Sequence, residues 1–172
     1  VTLLVLALFR LLWGVLGSQT SRFGSFVRGP AAIRAYLRGE HDGLGHNPLG
    51  ALMVLAMLAA LLLQLGLGLF AADVDSYTFD GPLAKLLDGG LAEQVTEWHG
   101  LWFNVLLGLV GVHVTAIIVY RVLHRENLVK PMLVGHKKVA TPVAEPRFAS
   151  SWFAVLLLFA VAGLVLGGLS WV

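Results

Sequence analysis

The chain contains no cysteine. That excludes disulfides, thiolate-held iron–sulfur clusters and the C-x-x-C-H attachment of a c-type haem. Charge is scarce as well: 13% of the 172 residues are Asp, Glu, Lys or Arg, against about a quarter in an ordinary soluble domain. No Asp or Glu lies in any of the long apolar runs. This argues against a pump or proton-coupled transporter, because intramembrane proton relays lean on carboxylates. Paired broken helices, common in transporters, and internal repeats are also missing. No basic leader precedes Val1, which already sits in an apolar run, so a signal peptide is not expected there. The start is expected to fall partway through a membrane segment.

Apolar residues dominate what is present. They make up 58% of the chain, and the mean hydropathy is +0.82, the composition of an integral membrane protein. The formal net charge is +2, and the basic residues sit in two loops rather than one patch, so nucleic acid is not an expected partner.

A membrane-crossing helix needs about 20 apolar residues. Leu49–Ala72, interrupted only by Gln64, meets this, as do Trp98–Tyr120 and Trp152–Val172. Val1–Gly17 is shorter, carries Arg10 and reads as the later part of a span. The expectation is a single all-α membrane domain over 1–172: an up-and-down helical bundle with four transmembrane segments (about 1–17, 49–72, 98–120 and 152–172), the first partial. The loops assign the sides. Arg22, Arg28, Arg34 and Arg38 lie in loop 18–48, and Arg121, Arg125, Lys130, Lys137, Lys138 and Arg147 in loop 121–151. Loop 73–97 carries Asp73, Asp75, Asp80, Asp88, Glu93 and Glu97 against Lys85 alone. Lysine and arginine favour the cytoplasmic side, so the basic loops are expected there and the acidic loop in the periplasm, with both chain ends periplasmic. Asn47–Pro48 reads as a helix start, since Asn caps free N–H groups and Pro suits the first turn. Phe26–Leu37 and Gly81–Leu91 are expected as short interfacial helices, and Val139–Arg147 as a linker.

The third span carries His99 and His113. Ionisable groups are costly in a bilayer, so each is a candidate functional residue. Fourteen residues place the second ring within roughly 40° of the first and about 21 Å further along the axis. Leu106, Val110 and Ile117 share that face, while Gly100, Asn104, Gly108, Gly111 and Thr115 form a separate small-residue stripe. The small stripe suits close approach of another helix. The histidine stripe suits a flat porphyrin, and its spacing suits two haem irons stacked across a membrane. The other reading of these histidines is polar side chains bonded to neighbouring helices. Bis-histidine ligation of two haems needs four imidazoles, and the spans supply two. His41, His46, His124 and His136 lie in cytoplasmic loops or at helix ends, so the partner ligands are expected ahead of Val1.

Several stretches together resemble the bacterial cytochrome b561 family, which includes the b-type cytochrome subunit of nickel–iron hydrogenases. They are FRLLWGVLGS at Phe9–Ser18, RFGSFVRGP at Arg22–Pro30, YLRG at Tyr36–Gly39 and GHNPLGA at Gly45–Ala51. The histidine helix, LHRENLVKPMLVGHKK at Leu123–Lys138 and RFASSW at Arg147–Trp152 complete the set. The resemblance implies a di-haem b-type cytochrome of a bacterial inner membrane, an electron-transfer subunit rather than a stand-alone catalyst. Electrons would pass between a quinone pool and a periplasmic cytochrome or oxidoreductase subunit, and the chain would sit in a homodimer or larger complex. It maps two axial ligands onto His99, for the periplasmic haem, and His113, for the cytoplasmic one. The other two fall before Val1. The alternative is a non-redox anchor or assembly subunit that lost haem binding by truncation.

Secondary candidates carry two readings each. Arg10 pairs with a haem propionate, or snorkels to a face about 10 Å away. His46 assists proton exchange at a quinone site, or is a solvated or capping residue. Arg121, His124 and Arg125 anchor an interface, or contact propionates or quinone. Trp98 and Trp102 belong to an aromatic belt, or pack on a haem edge. The acidic loop steers a basic redox partner, or is simply solvated.

Overall fold

The computed structural model describes residues 1–39, 47–72, 80–123, 125, 127–135 and 145–171. Seven helices run through them: α1 (Thr2–Leu16), α2 (Phe23–Phe26), α3 (Pro30–Leu37), α4 (Pro48–Phe70), α5 (Gly89–Leu123), α6 (Val129–Val134) and α7 (Ser151–Ser170). Of these, α4, α5 and α7 are long and apolar enough to cross a membrane, and α1 is a shorter apolar helix. Helix α5 packs on α4, α4 on α1, and α1 on α7, so the four stand side by side in the order α5, α4, α1, α7.

The described residues form an all-α membrane bundle with apolar side chains all round. Among the described residues no large side chain is fully buried, and Leu101, Leu156, Phe159 and Leu164 lie open on the helix surfaces. A helix apolar on every face is at home in lipid. Small residues make the close contacts instead: Ala7, Ala51 and Ala60 are among the most buried.

The helix start at Asn47 has the expected chemistry. Its Oδ1 accepts the Gly50 N–H at 2.6 Å, and Pro48 occupies the first helical position. The Asn47 amide also donates to the Tyr120 hydroxyl at 2.7 Å and the Tyr36 hydroxyl at 3.2 Å, and the two tyrosine hydroxyls bond each other. One side chain thus ties α3, the start of α4 and the end of α5. Asn47→Ala is expected to cost about 1 kcal/mol for the cap and about as much again for the tyrosine contacts. Asn47→Asp, which caps but cannot donate, should lose about half of that total, read as the thermal midpoint of the detergent-solubilised protein.

Some local expectations shift. The interfacial helix expected over Phe26–Leu37 divides into α2, ending at Phe26, and α3, starting at Pro30; proline favours a first helical turn and disfavours helix at the residue before it. The stretch Gly81–Leu91 forms only a 3₁₀ turn at Ala84–Leu86 before α5 begins. Helix α5 starts nine residues before Trp98, because the Asp88 carboxylate accepts the Leu91 N–H at 2.9 Å and caps it. The expected linker 139–147 falls mostly outside the described residues.

Candidate haem-ligand helix

The packing of α5 on α4 sets the surroundings of both histidines. Its half-buried positions are Thr96, His99, Trp102, Leu106, Leu109, His113, Ile117 and Tyr120. They recur at three- and four-residue steps, as in a pair of helices that coil around each other. Val110, assigned to this face by a straight 3.6-residue period, is exposed, and Leu109 takes its place. The seam follows a period nearer 3.5, which drifts by about 20° every two turns from the face of a straight helix.

Along α4 the seam runs through Ala60, Gln64 and Gly68, spaced one turn apart. The Trp102 indole N–H donates to the Ala60 carbonyl at 2.9 Å. His99 lies between Gln64 and Gly68. Its Nδ1 is 3.1 Å from the Gln64 backbone carbonyl and its Nε2 is 3.2 Å from the Gln64 side-chain nitrogen. A carbonyl only accepts, so Nδ1 carries the proton and Nε2 presents its lone pair to the amide. Gln64 is buried, and its Oε1 has no partner. Gly68 makes the fit sterically feasible: a Cβ there would stand 2.9 Å from the His99 ring. Beyond the imidazole, the Thr96 hydroxyl accepts the Ala72 N–H at 2.9 Å and closes the hairpin end.

The small-residue stripe does not carry this contact. Cβ atoms at Gly100, Gly108 and Gly111 would meet nothing within 4 Å, and Asn104 and Thr115 bond back to carbonyls of their own helix. The close approach uses small residues of α4 instead, and α4 meets the histidine stripe. His113 lies on the same seam, half-exposed, with no hydrogen bond to another described residue.

Arg10 is not gathered to this seam. Its guanidinium lies 3.4 Å from the Ser21 carbonyl and 5.1 Å from the Phe23 ring centroid, at the turn leaving α1. His41, His46, His124 and His136 lie outside the described residues. Trp98 is half-exposed near the end of the apolar run, while Trp102 is engaged with α4.

An apolar array carrying two imidazoles on one helix face accords with what the family comparison finds: residues 1–135 match the model of prokaryotic cytochrome b561. The chain belongs to that family. It is therefore a multi-pass membrane cytochrome b of electron transfer, from a family that binds haem b. No curated protein and no solved structure matches it.

The residues present suit this b561 cofactor chemically. A haem-ligating imidazole normally donates its other N–H to a carbonyl. His99 has the same arrangement, with Nδ1 bonded to the Gln64 carbonyl, so Nε2 is the atom that would hold an iron. The Gln64 side-chain nitrogen that meets Nε2 at 3.2 Å belongs to an amide whose Oε1 has no partner among the described residues, so a rotation of that amide would expose the lone pair. Sequence reasoning noticed Gln64 only as an interruption. As the lone polar residue in the hairpin partner of the histidine helix, it was the available signal.

Proposed function

We propose that the chain carries electrons between the quinone pool and a redox partner on the periplasmic side through two b-type haems, with His99 and His113 each ligating one iron. The observation behind this is the seam position of both imidazoles on one helix, about 21 Å apart, with the Nδ1 of His99 tied to a backbone carbonyl. Bound haem would supply reversible one-electron oxidation of iron. The protein's part is to space, orient and insulate. Helix α5 fixes the separation of the imidazoles, Gln64 fixes the tautomer of His99, and the surrounding Leu and Val side chains keep water away. The remaining iron ligands would come from protein outside the described residues.

Four crossings, with α1 as the first, fit the joined loops. Residues 147 and 149 bond Gln19 and Ser18, while Tyr36 bonds Tyr120. Loops 18–48 and 121–151 therefore meet, as a shared cytoplasmic face of a bacterial inner membrane requires, and both ends of the chain then face the periplasm. Arg10 is proposed to pair with a propionate of the inner haem, and His46 to exchange protons with quinone at that face. The acidic loop 73–97 is proposed to receive a basic partner, in a homodimer or larger complex.

The test is a dithionite-reduced minus oxidised spectrum of the intact purified protein. Bands of b-type haem are expected, and a short quinol should produce the same bands without dithionite. Absence of the bands in protein isolated from haem-replete cells would overturn the reading.

A further inference from the structure

An open cleft of about 480 Å³ lies where α1 gives way to its exit turn, lined by Gly14, Val15, Gln19, Arg22, Phe23 and Gly24. Its lining is apolar for the most part. The Phe23 ring lies against Gly14, where a Cβ would stand 2.1 Å from it, and the space beside Gly24 is open, since a Cβ there meets nothing within 4 Å. The rim is cationic. Arg22 donates through Nε to the Gly17 carbonyl at 2.8 Å, so its terminal nitrogens are held at the cleft with no described partner. Arg28 reaches the Ser25 carbonyl, Arg10 lies over Phe23, and Arg147 is bonded through its backbone to Gln19. None of these guanidiniums meets a described carboxylate.

The sequence around the cleft has the same sign. Residues 1–39 hold five arginines and no Asp or Glu, and Glu145 is the one carboxylate among the described residues of 145–150. The groove is thus apolar along its floor, cationic at its rim, and placed at the end of a membrane helix. Such a combination matches an amphiphile with an anionic head. We propose that this cleft binds an anionic glycerophospholipid, its phosphate against the terminal nitrogens of Arg22 and an acyl chain along Val15, Phe23 and Gly24. The residues assigned to the lipid, Arg22, Val15, Phe23 and Gly24, are separate from those of the haem reading.

Delipidated intact protein, titrated with phosphatidylglycerol, phosphatidylcholine or inorganic phosphate and followed by native mass spectrometry, tests this. Phosphatidylglycerol should bind at least about fivefold more tightly than phosphatidylcholine, and Arg22→Gln should weaken it about fivefold, the worth of one cation beside an anionic lipid. Gly24→Leu fills the cleft while leaving every arginine and its hydrogen bonds in place, and should weaken binding at least as much. Arg34→Gln, on α3, should change it less than twofold. Equal binding of the two lipids overturns the proposal, as does a phosphatidylglycerol affinity unmoved by both Arg22→Gln and Gly24→Leu. Displacement of the lipid by millimolar inorganic phosphate, which would mark a plain anion site, also overturns it.

Discussion

Alanine in place of His113 is expected to remove one haem's share, about half, of the reduced-minus-oxidised b-type absorbance while the rest of the protein stays folded. Its imidazole makes no hydrogen bond to another described residue, so truncation strands no partner among the described residues. His99→Ala should remove the other half at a structural cost. It deprives the Gln64 carbonyl and side-chain amide of their contacts, and a buried polar group left unpaired costs about 1–3 kcal/mol. The two variants should therefore look alike in the spectrum and differ in thermal midpoint, with His99→Ala melting lower. If both kept the full spectrum, neither histidine would be an iron ligand. Equal melting temperatures would show that the α4 contacts of His99 carry no weight.

Gly68→Leu should have the second large effect, and a control on the same helix separates packing from propensity. Replacing a helical glycine by leucine favours the helix by about 1 kcal/mol, so propensity alone predicts stabilisation at both Gly66 and Gly68. At Gly66 a Cβ meets nothing within 4 Å, whereas at Gly68 it stands 2.9 Å from the His99 ring. Overpacking of that kind costs about 1–3 kcal/mol, which reverses the sign at Gly68 only. Gly66→Leu should match or exceed the parent protein in thermal midpoint. Gly68→Leu should fall below it and lose the same haem signal that His99→Ala removes. Equal behaviour of the two variants would show that His99 does not rest on Gly68.

The apolar spans were legible in the sequence because a bilayer accepts few compositions and the chain alternates cleanly between them and charged loops. The start of α4 was legible because Asn47 and Pro48 state it within two residues. The early start of α5 was not. Residues 89–97 are polar enough to read as loop, and only the carboxylate of Asp88 on the Leu91 N–H reveals the helix. Periodicity also found the histidine face of α5 but assigned α5's neighbour to the wrong stripe. A pattern separates the faces of a helix; it does not say which face its partner takes. That choice was made by Ala60 and Gly68 on α4, which look unremarkable until α5 is laid beside them.

The bonds joining Ser18 to Ala149 and Gln19 to Arg147 span some 130 positions along the chain. Contacts so far apart in sequence pay a large closure entropy and form late. The α4–α5 hairpin, closed by Thr96 on Ala72 and by His99 on Gln64, needs only neighbouring segments. In a chain made from its N-terminus, the α4–α5 hairpin is complete in sequence before α7 is made. Among the described helices α7 is then the one that completes the array, docking on α1.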